Sequence, residues 1–326
     1  MGRLDRLPFF ARPDGAARQM ARIQRQVQFK WPLGGLVLES PLKIDGEASV
    51  FRGFHKGRPV VVKKFWDRGT RRRFVGHTVK ALKRFQDLEP HPEFSVNEYI
   101  ASSGNLGLLV VSFEAGQSLK SLLKGPAGDR SRLLQKCCAW QDWAAGGEVT
   151  REILPAGQFE AEISRSLAAS AAHPDAALLG ELGGALLRML AEIADQPAAR
   201  SPGHPDFAPR NLILRPDGGL TAVDIHRRGA FFRARQAAMF LVSKDFQNGR
   251  QAGPMLYGLN LKETRRFLAH GTVPEEETSR VLPFFIGLTY FTMYAKNPGR
   301  PRRMKVRRGR ILAFLSDAAE GRRILP

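Results

Sequence analysis

The segment from Gly203 to Gly229 contains three polar side chains whose types and spacing could bind a metal ion and move a proton. Asp206 stands five residues before Asn211, and Asp224 follows after two short apolar runs joined by a turn. Magnesium prefers oxygen ligands and is commonly held by one or two protein side chains together with substrate phosphates. A nearby carboxylate can accept the proton of an attacking hydroxyl group. We therefore predict that Asn211 and Asp224 bind Mg²⁺ and that Asp206 is a catalytic base.

These side chains need a β-hairpin to bring them together. Two short apolar runs flank the sequence Arg-Pro-Asp-Gly-Gly, which is a credible turn. If the turn is centred between Asp217 and Gly218, the strand register places Asn211 opposite Asp224. Each residue alone could be a cap or a strand end. Their combination, with a histidine two residues before the predicted base, favours a functional site.

The rest of the chain divides by pattern into a strand-rich part and a helical part. The strand-rich part contains strand-like runs and one helical stretch, in the order 42–44, 50–54, 60–65, a helix over about 71–88, 94–100 and 106–113. Beyond residue 116 the pattern is mainly helical, with a core helix expected over about 176–194 and a buried apolar helix over 283–294. We predict a basic arm over 1–35, a sheet domain over 36–113 and a helical domain over 114–326.

This arrangement resembles the kinase-like phosphotransferase superfamily, in particular the aminoglycoside phosphotransferases and the lipopolysaccharide core sugar kinases. The resemblance rests on the spacing of the predicted base and metal ligands and on the strand Val-Val-Val-Lys-Lys-Phe at 60–65. It implies an α+β, bilobal, protein-kinase-like fold. The amino-terminal lobe would be an antiparallel five-stranded sheet, and the carboxy-terminal lobe would be mainly helical.

The same resemblance implies ATP as a substrate, bound as its magnesium complex. Lys63 would reach the nucleotide phosphates, and the backbone of Ser112 and Glu114 would hydrogen-bond adenine. The loop at 45–49 stands at the glycine-rich position, where backbone N–H groups can lie over phosphates. The residues of this loop that we predict to contact the nucleotide are Gly46, Ala48 and Ser49.

Three departures from the pattern bear on catalysis. Pro205 replaces the usual Arg or Gly, and Ile225 and His226 replace the usual Phe and Gly. No glutamate occurs between Lys63 and residue 86 to orient the lysine, and Glu98 is one substitute. A catalytically weak pseudokinase scaffold is therefore an alternative to an active enzyme.

The acceptor is predicted from further resemblance to lipopolysaccharide core sugar kinases. The segments 223–227, 236–240 and 265–268 are similar to the carboxy-terminal half of those enzymes. This implies transfer of the γ-phosphate to a sugar hydroxyl on an anionic glycolipid. Aminoglycosides or amino alcohols are alternative acceptors, although such cationic molecules call for an acidic pocket. A protein serine/threonine kinase is a third alternative.

The formal charge of +20 indicates attraction to phosphate-bearing surfaces. A cationic run without an intervening acid spans 300–310, and residues 71–73 are three arginines. Nucleic acid is not expected as the main partner, because we find no zinc-ligand spacing and no RNA-binding aromatic signature. No secretory or membrane-spanning pattern occurs, and the adjacent Cys137 and Cys138 are expected to be apolar fillers. We expect a cytoplasmic protein in peripheral contact with the inner membrane.

Overall fold

A computed structural model describes residues 13–28, 30–46, 48–246, 253–296 and 300–325. Residues 1–12 of the predicted basic arm and Glu47 of the predicted phosphate loop lie outside this described part. The chain forms two compact units. The first unit comprises residues 1–116 and 215–228, and the second comprises residues 117–214 and 229–326.

The strands and helices are numbered in chain order. The strands are β1 Leu36–Ile44, β2 Ala48–His55, β3 Arg58–Phe65, β4 Phe94–Val96, β5 Tyr99–Ser103, β6 Leu108–Ser112, β7 Gln117–Ser118, β8 Thr150–Ile153, β9 Pro197–Pro202, β10 Leu212–Leu214, β11 Leu220–Ala222, β12 Ala230–Phe232, β13 Met255–Leu256 and β14 Leu259–Asn260. The helices are α1 Pro13–Val27, α2 Arg71–Gln86, α3 Leu119–Leu122, α4 Ala127–Ala145, α5 Ala156–Ala169, α6 Ala176–Ile193, α7 Arg233–Asp245, α8 Leu261–Leu268, α9 Val281–Lys296 and α10 Pro301–Ala319. Short 3₁₀ turns occur at Pro209–Asn211 and Glu275–Glu277.

The first unit is built on the predicted five-stranded antiparallel sheet, with the strand order β1-β2-β3-β6-β5. Side chains alternate across β3, so that Val60, Val62 and Lys64 are buried on one face while Lys63 lies on the other. The predicted run over 94–100 is wrong in extent, because β4 ends at Val96 and β5 begins at Tyr99. β4 pairs in parallel with β11 instead of extending the five-stranded sheet.

Helix α1 packs on this sheet through its apolar face. Ile23 and Val27 are fully buried in one cluster with Phe51 of β2. The side chain of Gln24 donates to the carbonyl of Leu36 and accepts from the N–H of Leu38, at 2.5 and 3.1 Å. The helix is therefore held to the first strand by apolar packing and by hydrogen bonds to its backbone.

The second unit is mainly helical, and its core is built around α9. This helix is apolar on all sides, which is typical of a helix buried within a protein. The rings of Phe284 and Phe285 lie 5.6 and 5.4 Å from the ring of Phe159 on α5. The predicted buried helix is thus confirmed, and α6 lies where the core helix was predicted. No helix among the described residues is long and apolar enough to span a membrane.

Two cations of the basic run at 300–310 point into the second unit. Arg307 is 5% exposed and lies over the ring of Phe246, and Arg310 is 4% exposed and donates to the carbonyl of Gly258. Arg308 binds the carboxylate of Asp175 at 3.3 Å. The run is therefore partly structural and is not a uniform solvated face.

Lys64 is a buried cation among other cations in the first unit. Its side chain donates to the carbonyl of Leu106 and lies 5.0 Å from the ring centre of Trp66. Burial, together with the positive charges of Arg71 and Arg22, lowers the pKa of Lys64 to about 8. The ordinary lysine pKa of 10.5 applies in the unfolded chain.

This shift predicts a pH-dependent contribution to stability. Between pH 8 and pH 10.5 the unfolded chain binds more protons at this lysine than the folded chain, so the free energy of unfolding rises with pH. Relative to Lys64→Met, the wild type should gain at most about 3 kcal/mol across that window. Urea unfolding at several pH values measures the difference. Lys80→Met, at an exposed lysine, should show no such trend, and a constant difference for Lys64→Met would contradict the prediction.

Candidate active site

Lys63 forms an ion pair with the carboxylate of Asp224 within the first unit. Its ammonium group donates to Oδ1 of Asp224, and its side chain is 14% exposed. Helix α2, where a partner glutamate was sought, contains no acidic residue. The substitute Glu98 instead pairs with Arg58 at 2.7 Å. The orienting group that sequence reasoning did not find for Lys63 is therefore the residue predicted to bind the metal.

Asp224 is held by β11 and by the segment that follows it. The N–H of Asn97, next to β4, donates to the carbonyl of Ala222 at 3.1 Å, which extends the parallel pairing towards Asp224. The backbone of Asp224 has a φ of +67°, in the left-handed region that costs most side chains energy. Two residues on, the carbonyl of His226 accepts a hydrogen bond of 3.3 Å from Thr78 of α2. The conformation is thus fixed on both sides of the carboxylate.

The turn before β11 has a different centre from the one assumed in the sequence-based prediction. The N–H of Gly218 donates to the carbonyl of Arg215, the N–H of Arg215 donates to the carbonyl of Gly219, and Gly218 has a φ of +84°. This is a three-residue loop, in which a turn is followed by a left-handed glycine. Its centre is Asp217, so the assumed centre between Asp217 and Gly218 is wrong. The prediction that Asn211 lies opposite Asp224 depended on that centre, so the observed turn does not support it.

The Arg215 side chain connects this turn to both strands of the parallel pair. Its guanidinium donates to the hydroxyls of Ser95 and Thr221, at 2.7 and 3.0 Å, and to the carboxylate of Asp217. A Cβ atom at Gly219 would lie 1.9 Å from this guanidinium. Glycine is therefore required at 219 for the arginine to reach its partners.

Asp206 and Asn211 form a second pair, within the second unit. The amide nitrogen of Asn211 donates to the backbone carbonyl of Asp206 at 2.9 Å and to its Oδ2 at 3.0 Å. The backbone N–H of Asp206 donates to Nδ1 of the fully buried His204 at 3.0 Å. These bonds orient the Asp206 carboxylate and turn the amide oxygen of Asn211 away from it. An amide oxygen of this kind suits Mg²⁺.

Sequence reasoning missed Arg210, which donates to Oδ2 of Asp206 at 2.5 Å. The signal was available, because an acid and an arginine four residues apart often pair. Among the described residues, the two donors to the Asp206 carboxylate are Arg210 and Asn211, and both bind Oδ2. Oδ1 is therefore the oxygen of Asp206 that can accept a proton from a bound hydroxyl group.

The predicted phosphate loop has two of its polar groups bonded inside the first unit. The N–H of Ala48 donates to the carboxylate of Asp45 at 2.7 Å, and the buried hydroxyl of Ser49 accepts from Trp66 at 2.9 Å. A Cβ atom at Gly46 would meet no atom within 4 Å. Gly46 therefore has open space around its Cα atom.

The two predicted adenine-binding residues lie at the end of β6. The N–H of Ser112 donates to the carbonyl of Glu98 at 2.9 Å, and its hydroxyl donates to the carboxylate of Glu114 at 2.5 Å. A bond from Ser112 to adenine would therefore use its carbonyl oxygen. The N–H of Glu114 remains the predicted donor.

Comparison with known proteins identifies the fold. No protein-family model and no curated protein sequence matches the chain. Among solved structures, choline kinase LicA from Streptococcus pneumoniae is 13% identical, with 92% of this chain and 99% of that chain covered and a TM-score of 0.60. Aminoglycoside phosphotransferase APH(4)-Ia is 13% identical, with coverage of 93% and 99% and a TM-score of 0.60. ADP-bound aminoglycoside phosphotransferase APH(2'')-Ib is 11% identical, with coverage of 94% and 98% and a TM-score of 0.58.

At these identities the likeness establishes the fold. The chain has the α+β, kinase-like fold that choline kinase LicA and these aminoglycoside phosphotransferases share. The fold class predicted from the sequence is confirmed.

The left-handed backbone at Asp224 predicts a contrast between two substitutions. Asp224→Gly and Asp224→Ala both remove the carboxylate that binds Lys63, but only glycine adopts a positive φ without steric cost. The glycine variant should therefore be more stable than the alanine variant by about 1 kcal/mol. Urea unfolding of the two proteins measures this difference. An alanine variant of equal or greater stability would show that the conformation is not as described.

Proposed function

We propose that the chain is an ATP-dependent phosphotransferase that transfers the γ-phosphate to a hydroxyl group. The observation that carries this proposal is the contact between Lys63 and Asp224, because it joins the predicted phosphate-binding cation to the predicted metal ligand. The fold supports it, since structures with this fold include a choline kinase solved with AMP and an aminoglycoside phosphotransferase solved with ADP.

In this proposal Asp206 accepts the proton of the attacking hydroxyl through Oδ1. Asn211 and Arg210 hold the other carboxylate oxygen, so the carboxylate cannot rotate freely when the acceptor binds. His204 fixes the backbone at the same residue. A base positioned in this way typically contributes a factor of about 10² to 10⁴ to the rate.

The donor set fits a magnesium ion. Asn211 offers an amide oxygen and Asp224 offers a carboxylate, and both are the hard oxygen ligands that Mg²⁺ takes in proteins. When bound, the ion neutralises negative charge on the nucleotide phosphates. Lys63 would bind those phosphates directly as a second source of positive charge.

For the acceptor we propose a sugar hydroxyl on an anionic glycolipid such as lipopolysaccharide core, reached from the cytoplasm in peripheral contact with the inner membrane. The charge of +20 and the exposed cations Arg302 and Lys305 support an anionic acceptor. Two of the three acids at 275–277, which could attract a cationic acceptor, have partners already. Glu276 binds Arg151 at 2.5 Å, and Glu277 is 1% exposed and accepts from the N–H of Ala199.

A small cationic alcohol is the second candidate acceptor. The observation in its favour is the fold, because the similar structures include choline kinase LicA and aminoglycoside phosphotransferases. The two candidates differ in the charge that the acceptor carries.

The role of Asp206 is tested by Asp206→Asn, which keeps the shape of the side chain and removes the base. Turnover of Mg-ATP with acceptor should fall by about 10² to 10⁴ while ATP binding persists. Asp195→Asn, at an exposed carboxylate, is the matched control and should be unaffected. If wild type and Asp206→Asn both bind ATP and are equally inactive, the chain is a nucleotide-binding scaffold.

The acceptor is tested by transfer of labelled phosphate from ATP. Purified lipopolysaccharide should be labelled by the wild type and not by Asp206→Asn, because an anionic acceptor matches the charge of the chain. A parallel panel contains choline and several aminoglycosides. Labelling of the panel without labelling of lipopolysaccharide would overturn the glycolipid proposal and leave the phosphotransferase proposal standing.

A further inference from the structure

A small cavity in the second unit is surrounded by positive charge. Its volume is about 170 Å³, and the cations that line it are Lys120, Lys124, Lys244 and Arg303. We call it the basic pocket. One water molecule accounts for about 30 Å³ of liquid, so the cavity has room for a group of several non-hydrogen atoms. Pro209, within the loop of Asp206 and Asn211, also lines it.

Lys244 is a buried residue that lines the basic pocket, and two carboxylates balance its charge. Its side chain is 3% exposed and donates to the carboxylates of Asp245 and Glu263, both at 2.5 Å. Glu263 also binds Arg130 at 3.1 Å. Two carboxylates therefore face two cations, and this group adds no net charge to the pocket.

The other three cations of the basic pocket have no such balance. Within the described residues, Lys120, Lys124 and Arg303 form no ion pair. Lys120 lies on α3, and Lys124 lies two residues beyond the end of that helix. Three uncompensated cations around one cavity favour an anion that carries more than one charge and several oxygen atoms.

We propose that the basic pocket binds a phosphate-class oxyanion, either a free ion or the phosphomonoester group of a larger molecule. Lysine offers three rotatable donors and arginine a planar fork, and both suit the terminal oxygens of a phosphoryl group. The carbonyl of Pro209 accepts a hydrogen bond of 3.4 Å from the hydroxyl of Ser118, the residue directly before α3, which ties the start of that helix to the loop of the predicted base. The site is a binding site in its own right, and its occupation requires no catalysis.

Inorganic phosphate and pyrophosphate are the probes for this site. Calorimetry on the full chain at fixed ionic strength should show binding of at least one of them at millimolar concentration. Lys120→Gln, Lys124→Gln and Arg303→Gln should each weaken that binding about tenfold, the usual effect of losing one charge-assisted hydrogen bond. Lys244 is left unchanged, because removing it would leave buried carboxylates without a partner.

Two controls separate a pocket from general attraction. Arg188→Gln and Lys262→Gln remove exposed cations that do not line the cavity, and they should change the affinity less than twofold. Thermal unfolding verifies that every variant is folded. Equal losses in pocket and control variants, or no binding of either probe by the wild type, would overturn the proposal.

Vesicles distinguish a lipid source of the oxyanion from a soluble one. Phosphatidylcholine vesicles that contain phosphatidic acid present a phosphomonoester, whereas phosphatidylglycerol presents a phosphodiester. Binding to phosphatidic acid that is lost in the pocket variants and is displaced by inorganic phosphate identifies a lipid headgroup. If the pocket variants lose binding of inorganic phosphate but bind vesicles as the wild type does, the ligand is a soluble oxyanion.

Discussion

The contact between Lys63 and Asp224 is the interaction on which the arrangement of the first unit depends. A lysine with 14% of its side chain exposed loses hydration and needs a nearby carboxylate. Alternation along β3 turns Lys63 away from the apolar core, while Lys64 fills the buried face. The parallel pairing of β11 with β4 places Asp224 at the end of a buried strand. The ion pair therefore joins a strand that is distant in sequence to the sheet that contains the lysine.

Much of the fold could be predicted, because its signals are local. The sheet strands alternate, α6 shows an apolar face in sequence, and α9 is an apolar run of helical length. The hairpin register was missed because it depends on whether the loop has two or three residues. That choice is made by the left-handed Gly218 and by the Arg215 side chain, which reaches across the turn to Ser95. The contact between Arg215 and Ser95 joins residues 120 positions apart, so a local sequence pattern does not show it.

The sequence shows the total charge and the cationic run at 300–310, but it does not show which of these side chains are buried. In the structure the seven cations between 300 and 310 have different environments, since Arg307 and Arg310 are buried against an aromatic ring and a carbonyl. Arg303, on the same helix, instead lines a cavity together with Lys120, Lys124 and Lys244. Helical periodicity separates these side chains onto different faces. A run of like charges in sequence therefore does not make one charged surface.

The absence of a glutamate from α2 is weak evidence against catalysis once Asp224 is considered. Lys63 is oriented by a carboxylate that the proposed function assigns to magnesium. Binding of a metal-bound nucleotide would exchange one ion pair for two, with the lysine moving to phosphate and the carboxylate to the metal. Breaking a buried pair without replacement costs about 3 to 5 kcal/mol, and half-exposed Asp224 reduces that cost. Under the proposed function both charges would gain new partners, so the exchange would need no third residue to hold the lysine.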